Sequence, residues 1–275
     1  MTRIIGIDGY TGSDAPGQEP PRQQHHDRTL DQPSARPAIL ELRDVSAAYG
    51  SYRALFGVSF AVPEQGIVAL LGANGAGKST VARVATGLVA ATGGQVLVGG
   101  RDVARTSTHR IARMGVAHVP EGRGVFASLN VEENLVLSFR RRAGRHMLGD
   151  ALERAYQAFP VLAARRHQQA GTLSGGEQRM LSLAGVLAVP PRLVIADELS
   201  LGLAPVVVDE VYAGLSAIHS QGSALLIVEQ QVDRALGLAD HAVLLARGAV
   251  QWQGSPAEAR RQMEQLLAAG YGTAG

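Results

Sequence analysis

The residues Gly72-Ala73-Asn74-Gly75-Ala76-Gly77-Lys78-Ser79 match G-x-x-x-x-G-K-[ST], and they stand between an apolar run, IVALL at 67–71, and a segment of helical spacing at 81–88. Strand, glycine turn and helix in that order commit this stretch to an α/β unit. Gly72, Gly75 and Gly77 let backbone N–H groups curl around phosphate oxygens, with Asn74, Ala76 and Thr80 in the same cradle, and the helix start adds partial positive charge. Lys78 is placed to reach the β and γ phosphates of a nucleotide and the Ser79 hydroxyl to hold Mg²⁺. Lys78 is also the sole lysine of the chain. Every other positive charge is carried by arginine, so this position calls for a compact ammonium on a flexible stem, which a planar guanidinium does not imitate.

The second half of the same chemistry lies at 194–198, where the run Val194-Ile195-Ala196 is followed by Asp197-Glu198. A buried strand delivers two carboxylates at its C-terminal end, the end at which α/β ligand sites lie. Asp197 is the candidate Mg²⁺ ligand. Glu198, one residue on, points differently and is the candidate group that polarises a water attacking the γ-phosphate. Alone, an Asp-Glu pair after a strand is often a polar strand end; beside the phosphate loop it completes a phosphoryl-transfer site.

Around these motifs, strand-like runs recur at 39–49, 54–62, 96–98, 116–119, 193–196, 224–228 and 242–245, with helical patterns between several of them. The fold expected is α/β, a mostly parallel sheet core with an antiparallel β edge layer near the N-terminus. Residues 122–173 read as an inserted helical subdomain, including VEENLVLSF and DALERAYQAFPVLAARR, with Asn130 as N-cap ahead of Glu132 and Glu133. Apolar residues make up 46% of the chain and aromatics only 4%, so aliphatic side chains fill the core, as in parallel sheets covered on both faces.

Residues 1–37 carry Pro, Gln, Ser and His without periodicity and read as a disordered tail, the core domain running over 38–275. Within the tail, His25-His26 lacks further metal ligands and the glycine turn after Ile4 lacks a lysine, so neither is read as a site. Cysteine is absent, which excludes disulfides, thiolate zinc sites and a cysteine nucleophile. No apolar run approaches the roughly 18 residues of a spanning helix. The formal charge is +2 and basic residues are scattered, so nucleic acid is not an expected partner. The cluster Arg140, Arg141, Arg142 and Arg145 reads as a solvated helix end, with phosphate or lipid headgroup contact as the alternative.

Leu173-Ser174-Gly175-Gly176-Glu177-Gln178, upstream of the Asp197 strand, resembles the signature of ABC-type ATPases. The resemblance implies a second anion site built from Ser174, Gly175, Gly176 and Glu177, which closes on the nucleotide of a partner cassette in a head-to-tail dimer holding two ATP molecules. It likewise implies that Tyr49 stacks on adenine, the alternative being an ordinary strand-end tyrosine. Glu121, in Val119-Pro120-Glu121-Gly122-Arg123, stands where many cassettes have glutamine and joins Ser79 and Asp197 as a metal residue. Residues 200–205 (SLGLAP) match the dimer-contacting loop, and Gln230 stands where many cassettes have a histidine that meets the γ-phosphate.

PEGR, VEENL, SLGLAP and VEQ together resemble the ATP-binding subunits of branched-chain amino acid importers, over about 40–267. Leu199 departs from the proline usual in that subgroup, freeing φ and restoring an N–H beside Glu198. The function implied is an ATPase subunit, cytoplasmic and peripheral on the inner face of the cell membrane, paired with a second cassette of the same or similar sequence. Transmembrane permease subunits would carry the solute. Two alternatives are a soluble ABC-type ATPase acting on nucleic acid or ribosomes, and a small-molecule kinase.

Overall fold

The computed structural model describes residues 36–121, 124–140, 148–187 and 189–266. IVALL forms strand β3 (Ile67–Leu71), buried along its whole length. Parallel to it run β6 (Val116–Val119), β7 (Leu193–Asp197), β8 (Ala224–Glu229) and β9 (His241–Ala246), while β10 (Ala249–Gly254) returns antiparallel to β9. The order is β10-β9-β3-β8-β7-β6. These strands are continuous apolar runs because both faces of the sheet are covered.

Successive residues of each strand face opposite ways, and the two faces nucleate two cores. Val68, Leu70, Ile195 and Leu226 pack with a second, antiparallel sheet and helix α1 (Lys78–Ala85). Ala69, Leu71, Val194, Ala196 and Ile227 pack with the helical side of the molecule. The antiparallel sheet joins β1 (Ala38–Tyr49), β2 (Tyr52–Pro63), β4 (Ala91–Val98) and β5 (Arg101–Asp102) in the order β2-β1-β4-β5. The α/β class expected from the sequence is the one observed, with the antiparallel layer where it was expected.

A short helix, α2 (Thr108–Arg113), leads into β6, and the helical insertion then opens with α3 (Val131–Arg140). Asn130 is its cap: Asn130 Oδ1 accepts the Glu133 N–H and Glu133 Oε2 accepts the Asn130 N–H, both at 2.8 Å. This reciprocal pair is a capping box. Glu132 plays no part in it and instead accepts a hydrogen bond from Arg166. The run DALERAYQAFPVLAARR, read as helical, is broken in two, α4 (Leu148–Ala158) and α5 (Pro160–Ala164). Phe159 between them has φ −133° and ψ 79°, because the proline that follows pushes its neighbour out of the helical region.

Helix α6 (Gly175–Leu187) packs against α3, α4 and α7 (Pro205–Ser220), and α8 (Val232–Leu238) and α9 (Pro256–Leu266) close the chain's described part. The expected tail with His25 and His26, and Gly122, Arg123, Arg141, Arg142 and Arg145, lie outside the described residues; the described span begins at Arg36. No helix among the described residues is long and apolar enough to cross a membrane.

Candidate functional site

Because β3, β6, β7 and β8 are parallel, their C-terminal ends share one edge of the sheet, and each expected catalytic segment leaves from that edge. The glycine loop follows β3, Glu121 follows β6, Glu198 follows β7 and Gln230 follows β8. Register is close: Asp197 pairs with Val228 and Leu71 with Glu229.

Gly77 caps α1 at φ 103°, with no side-chain cap and no acidic residue in the first turn. The start of the helix thus has no capping side chain and no acidic residue to offset the partial positive charge of its N–H groups. A Cβ on Gly72 would lie 2.3 Å from the Leu245 carbonyl oxygen, and one on Gly77 would lie 2.9 Å from Leu55 and 3.1 Å from the Ala54 oxygen. The loop is therefore pressed onto its own scaffold. Ala76 is pinned there too, its carbonyl accepting the Gly248 N–H at 2.9 Å. Asn74 and Gly75 form the exposed tip, where nothing lies within 4 Å of a Cβ built on Gly75. Tyr49, 40% exposed at the end of β1, donates its hydroxyl to Thr80 Oγ1 at 3.5 Å, which sets its ring beside α1.

Lys78 is 3% exposed. Its Nζ donates to the Gly72 and Ala73 carbonyls at 2.9 and 3.1 Å and pairs with Glu198 Oε1 at 2.9 Å. Ser79 Oγ donates to Asp197 Oδ1 at 3.1 Å. Two hard oxygen donors of the kind Mg²⁺ takes are thus side by side at the mouth of a cradle that only glycine permits, and the residues fit the ion. Glu121 is exposed at the end of β6. Glu198 itself is in the left-handed region, φ 48°, with its N–H bonded to the Val228 oxygen at 2.8 Å. Proline at 199 would push Glu198 toward extended φ, so Leu199, buried here, is compatible with that backbone.

Three neighbours were not among the site residues expected from the sequence. Glu229 ends the otherwise apolar strand ALLIVE at 2% exposure, its carboxylate accepting the Ser200 N–H at 3.0 Å and the Ser200 hydroxyl at 2.8 Å. Burial raises its pKa against the pull of those bonds. The exposed Gln230 gives its N–H to the same carboxylate. His118 Nε2 is buried without a hydrogen bond, 3.8 Å from Asp197 Oδ2. Arg179 reaches the loop after β7 from α6. A polar residue inside or at the end of an otherwise apolar strand was the one readable hint, and it applies to His118 and Glu229.

The signature segment starts α6. Ser174 Oγ accepts the Glu177 N–H at 3.3 Å and Glu177 Oε2 accepts the Ser174 N–H at 2.8 Å, another capping box. Glu177 Oε1 also pairs with Arg165 at 2.8 Å, so its carboxylate is engaged within this chain. A Cβ on Gly176 would strike Val207 at 2.4 Å, whereas one on Gly175 meets nothing nearer than Leu203 at 4.0 Å. Packing within the chain accounts for glycine at 176 and leaves 175 open to the outside. Among the described residues no hydrogen bond or ion pair joins residues 174–177 to the phosphate loop at 72–80.

The ABC transporter family matches residues 55–200, more than half of the chain. Over 213 residues the chain is 38% identical to the high-affinity branched-chain amino acid transport ATP-binding protein BraG of Pseudomonas aeruginosa, covering 77% of this chain and 91% of that one. Identity to the probable branched-chain amino acid transport ATP-binding protein LivF of Archaeoglobus fulgidus is 34%, covering 80% and 93%. To the lipopolysaccharide export system ATP-binding protein LptB of Escherichia coli it is 29%, covering 80% and 92%. A solved ATP binding subunit of an ABC transporter superposes with a TM-score of 0.72 at 27% identity, covering 82% and 93%. The chain belongs to the ABC transporter family and is one of its ATP-binding, ATP-hydrolysing cassettes.

Proposed function

We propose that this cassette is the ATP-hydrolysing subunit of a membrane importer for branched-chain or other amino acids. It works on the inner face of the cell membrane, paired with an identical or similar cassette and docked through its helical insertion on transmembrane permease subunits. The observation that carries the chemistry is the contact set of Lys78 with Glu198 and Ser79 with Asp197, which gathers a phosphate-binding cation, a metal-ligand pair and a base at one strand edge. The amino acid substrate is supported by the names of the relatives at 38% and 34% identity.

In this reading the first-turn N–H groups of α1 and Lys78 bind the phosphates, and Tyr49 offers its exposed ring to the adenine. Ser79, Asp197 and Glu121 would hold Mg²⁺, which when bound offsets negative charge on the phosphate oxygens. Lys78 meets Glu198 and phosphate with the same ammonium, so nucleotide arrival releases the Glu198 carboxylate. Free, it takes the proton of the water that attacks the γ-phosphorus, a general-base role worth roughly 10² to 10⁴ in rate. Gln230 donates to the γ-phosphate. The partner's Gly175 and Gly176 supply N–H groups and the partner's Ser174 a hydroxyl from the open start of α6, while Glu177 serves as their cap.

A second reading, an export system, is favoured by the 29% identity to LptB. The deciding experiment places the cassette and its membrane subunits in vesicles and measures movement of labelled leucine. ATP-dependent uptake that disappears in Glu198→Gln supports import. Export with no uptake supports the second reading, and an RNase-sensitive association with ribosomes would refute both.

A further inference from the structure

Arg179 stands one turn into α6, the helix that begins at the exposed Gly175. Its half-buried guanidinium gives its donors to main-chain carbonyls, Glu198 at 2.6 Å and Leu201 at 3.0 Å. Burial lowers its pKa, and the carboxylates of Glu229, Glu121 and Glu198 act in the opposite direction. A rigid planar fork spans two carbonyls at once, which a single ammonium does not. The Glu198 peptide it grips is the one in the left-handed region, where a side chain with a Cβ persists only if its surroundings hold it. The N–H side of that residue is held by Val228 and the carbonyl side by Arg179.

We propose that Arg179 is a positioning residue for Glu198: from α6 it fixes the peptide that sets the direction in which the Glu198 carboxylate leaves the strand end. The proposal rests on the reading of Glu198 as general base. It also makes α6 a lever, since a shift of the helix start that faces a second nucleotide moves the Glu198 carbonyl with it.

The test is steady-state ATPase kinetics of the full chain for Arg179→Ala, with Glu198→Gln beside it. Misaiming the base lowers kcat on the order of 10²-fold. KM for ATP and the affinity for ADP stay at parental values, and millimolar guanidinium, against equal NaCl, restores part of kcat. Arg179→Lys, reaching one carbonyl at a time, gives an intermediate kcat. A parental kcat in Arg179→Ala with Glu198→Gln inactive overturns the proposal alone. Parental turnover in Glu198→Gln removes the base, and the proposal with it. Lost kcat together with lost ADP binding and no response to guanidinium marks a fold defect and also overturns it. Should Arg179→Ala not fold, Arg179→Lys decides: parental kcat overturns the proposal, and a lowered kcat at unchanged KM supports it.

Discussion

Glu198→Gln is expected to tighten nucleotide binding while it stops turnover, because Glu198 and phosphate compete for Lys78. The pair is nearly buried, with side-chain exposures of 3% and 10%, and its atoms are 2.9 Å apart. At that separation and an effective dielectric of about 20, the Coulomb attraction is about 6 kcal/mol. Desolvating the carboxylate offsets several kcal/mol of this. Glutamine keeps an oxygen acceptor for Nζ and loses the charge, so the net difference is about 1–2 kcal/mol, or roughly 5- to 30-fold in affinity. ADP isolates this effect, since it engages Lys78 without hydrolysis. Titration of a fluorescent ADP analogue into dilute cassette should show the gain, and the nucleotide-free variant should melt about 2–8 °C lower. ADP affinity that is unchanged or weaker would refute the competition, whatever happens to the rate.

Gln230→His should introduce an inflection near pH 6.5 into the ATPase rate, where the parent has none from this position, because imidazole titrates there and an amide does not. An unchanged pH profile would show that residue 230 does not meet the γ-phosphate. Gly175→Val should leave melting temperature and ADP binding of the isolated cassette intact yet remove turnover, whereas Gly176→Ala, striking Val207, should lower the melting temperature. Equal melting of both variants would contradict the distinction. The Tyr212 hydroxyl is buried without a partner, so Tyr212→Phe should stabilise by about 1–3 kcal/mol, seen as a higher denaturation midpoint; a lower one would mean the hydroxyl has an acceptor.

What could be read from the chain alone was set by neighbours in sequence. IVALL before a glycine turn, Asn130 three residues before Glu133, and Ser174 three residues before Glu177 are local devices whose geometry follows from spacing. Pro160 is equally local, and its break between α4 and α5 was within reach of the same reading. The strand β10 was not, because its alternation, Val250-Gln251-Trp252-Gln253, covers only four residues and the strand is mostly half-buried, with no continuous apolar run. Tertiary structure alone decided which distant residues meet. Ser79 reaches Asp197 across 118 positions, Arg179 grips a carbonyl 19 residues away, and Glu229 holds Ser200 from another strand. Those meetings depend on the order β9-β3-β8-β7-β6, which comes from how crossovers stack helices on the two faces of the sheet. A motif names the groups that can do chemistry; the sheet order determines that Lys78 rests against Glu198 and that Arg179 holds the peptide behind it.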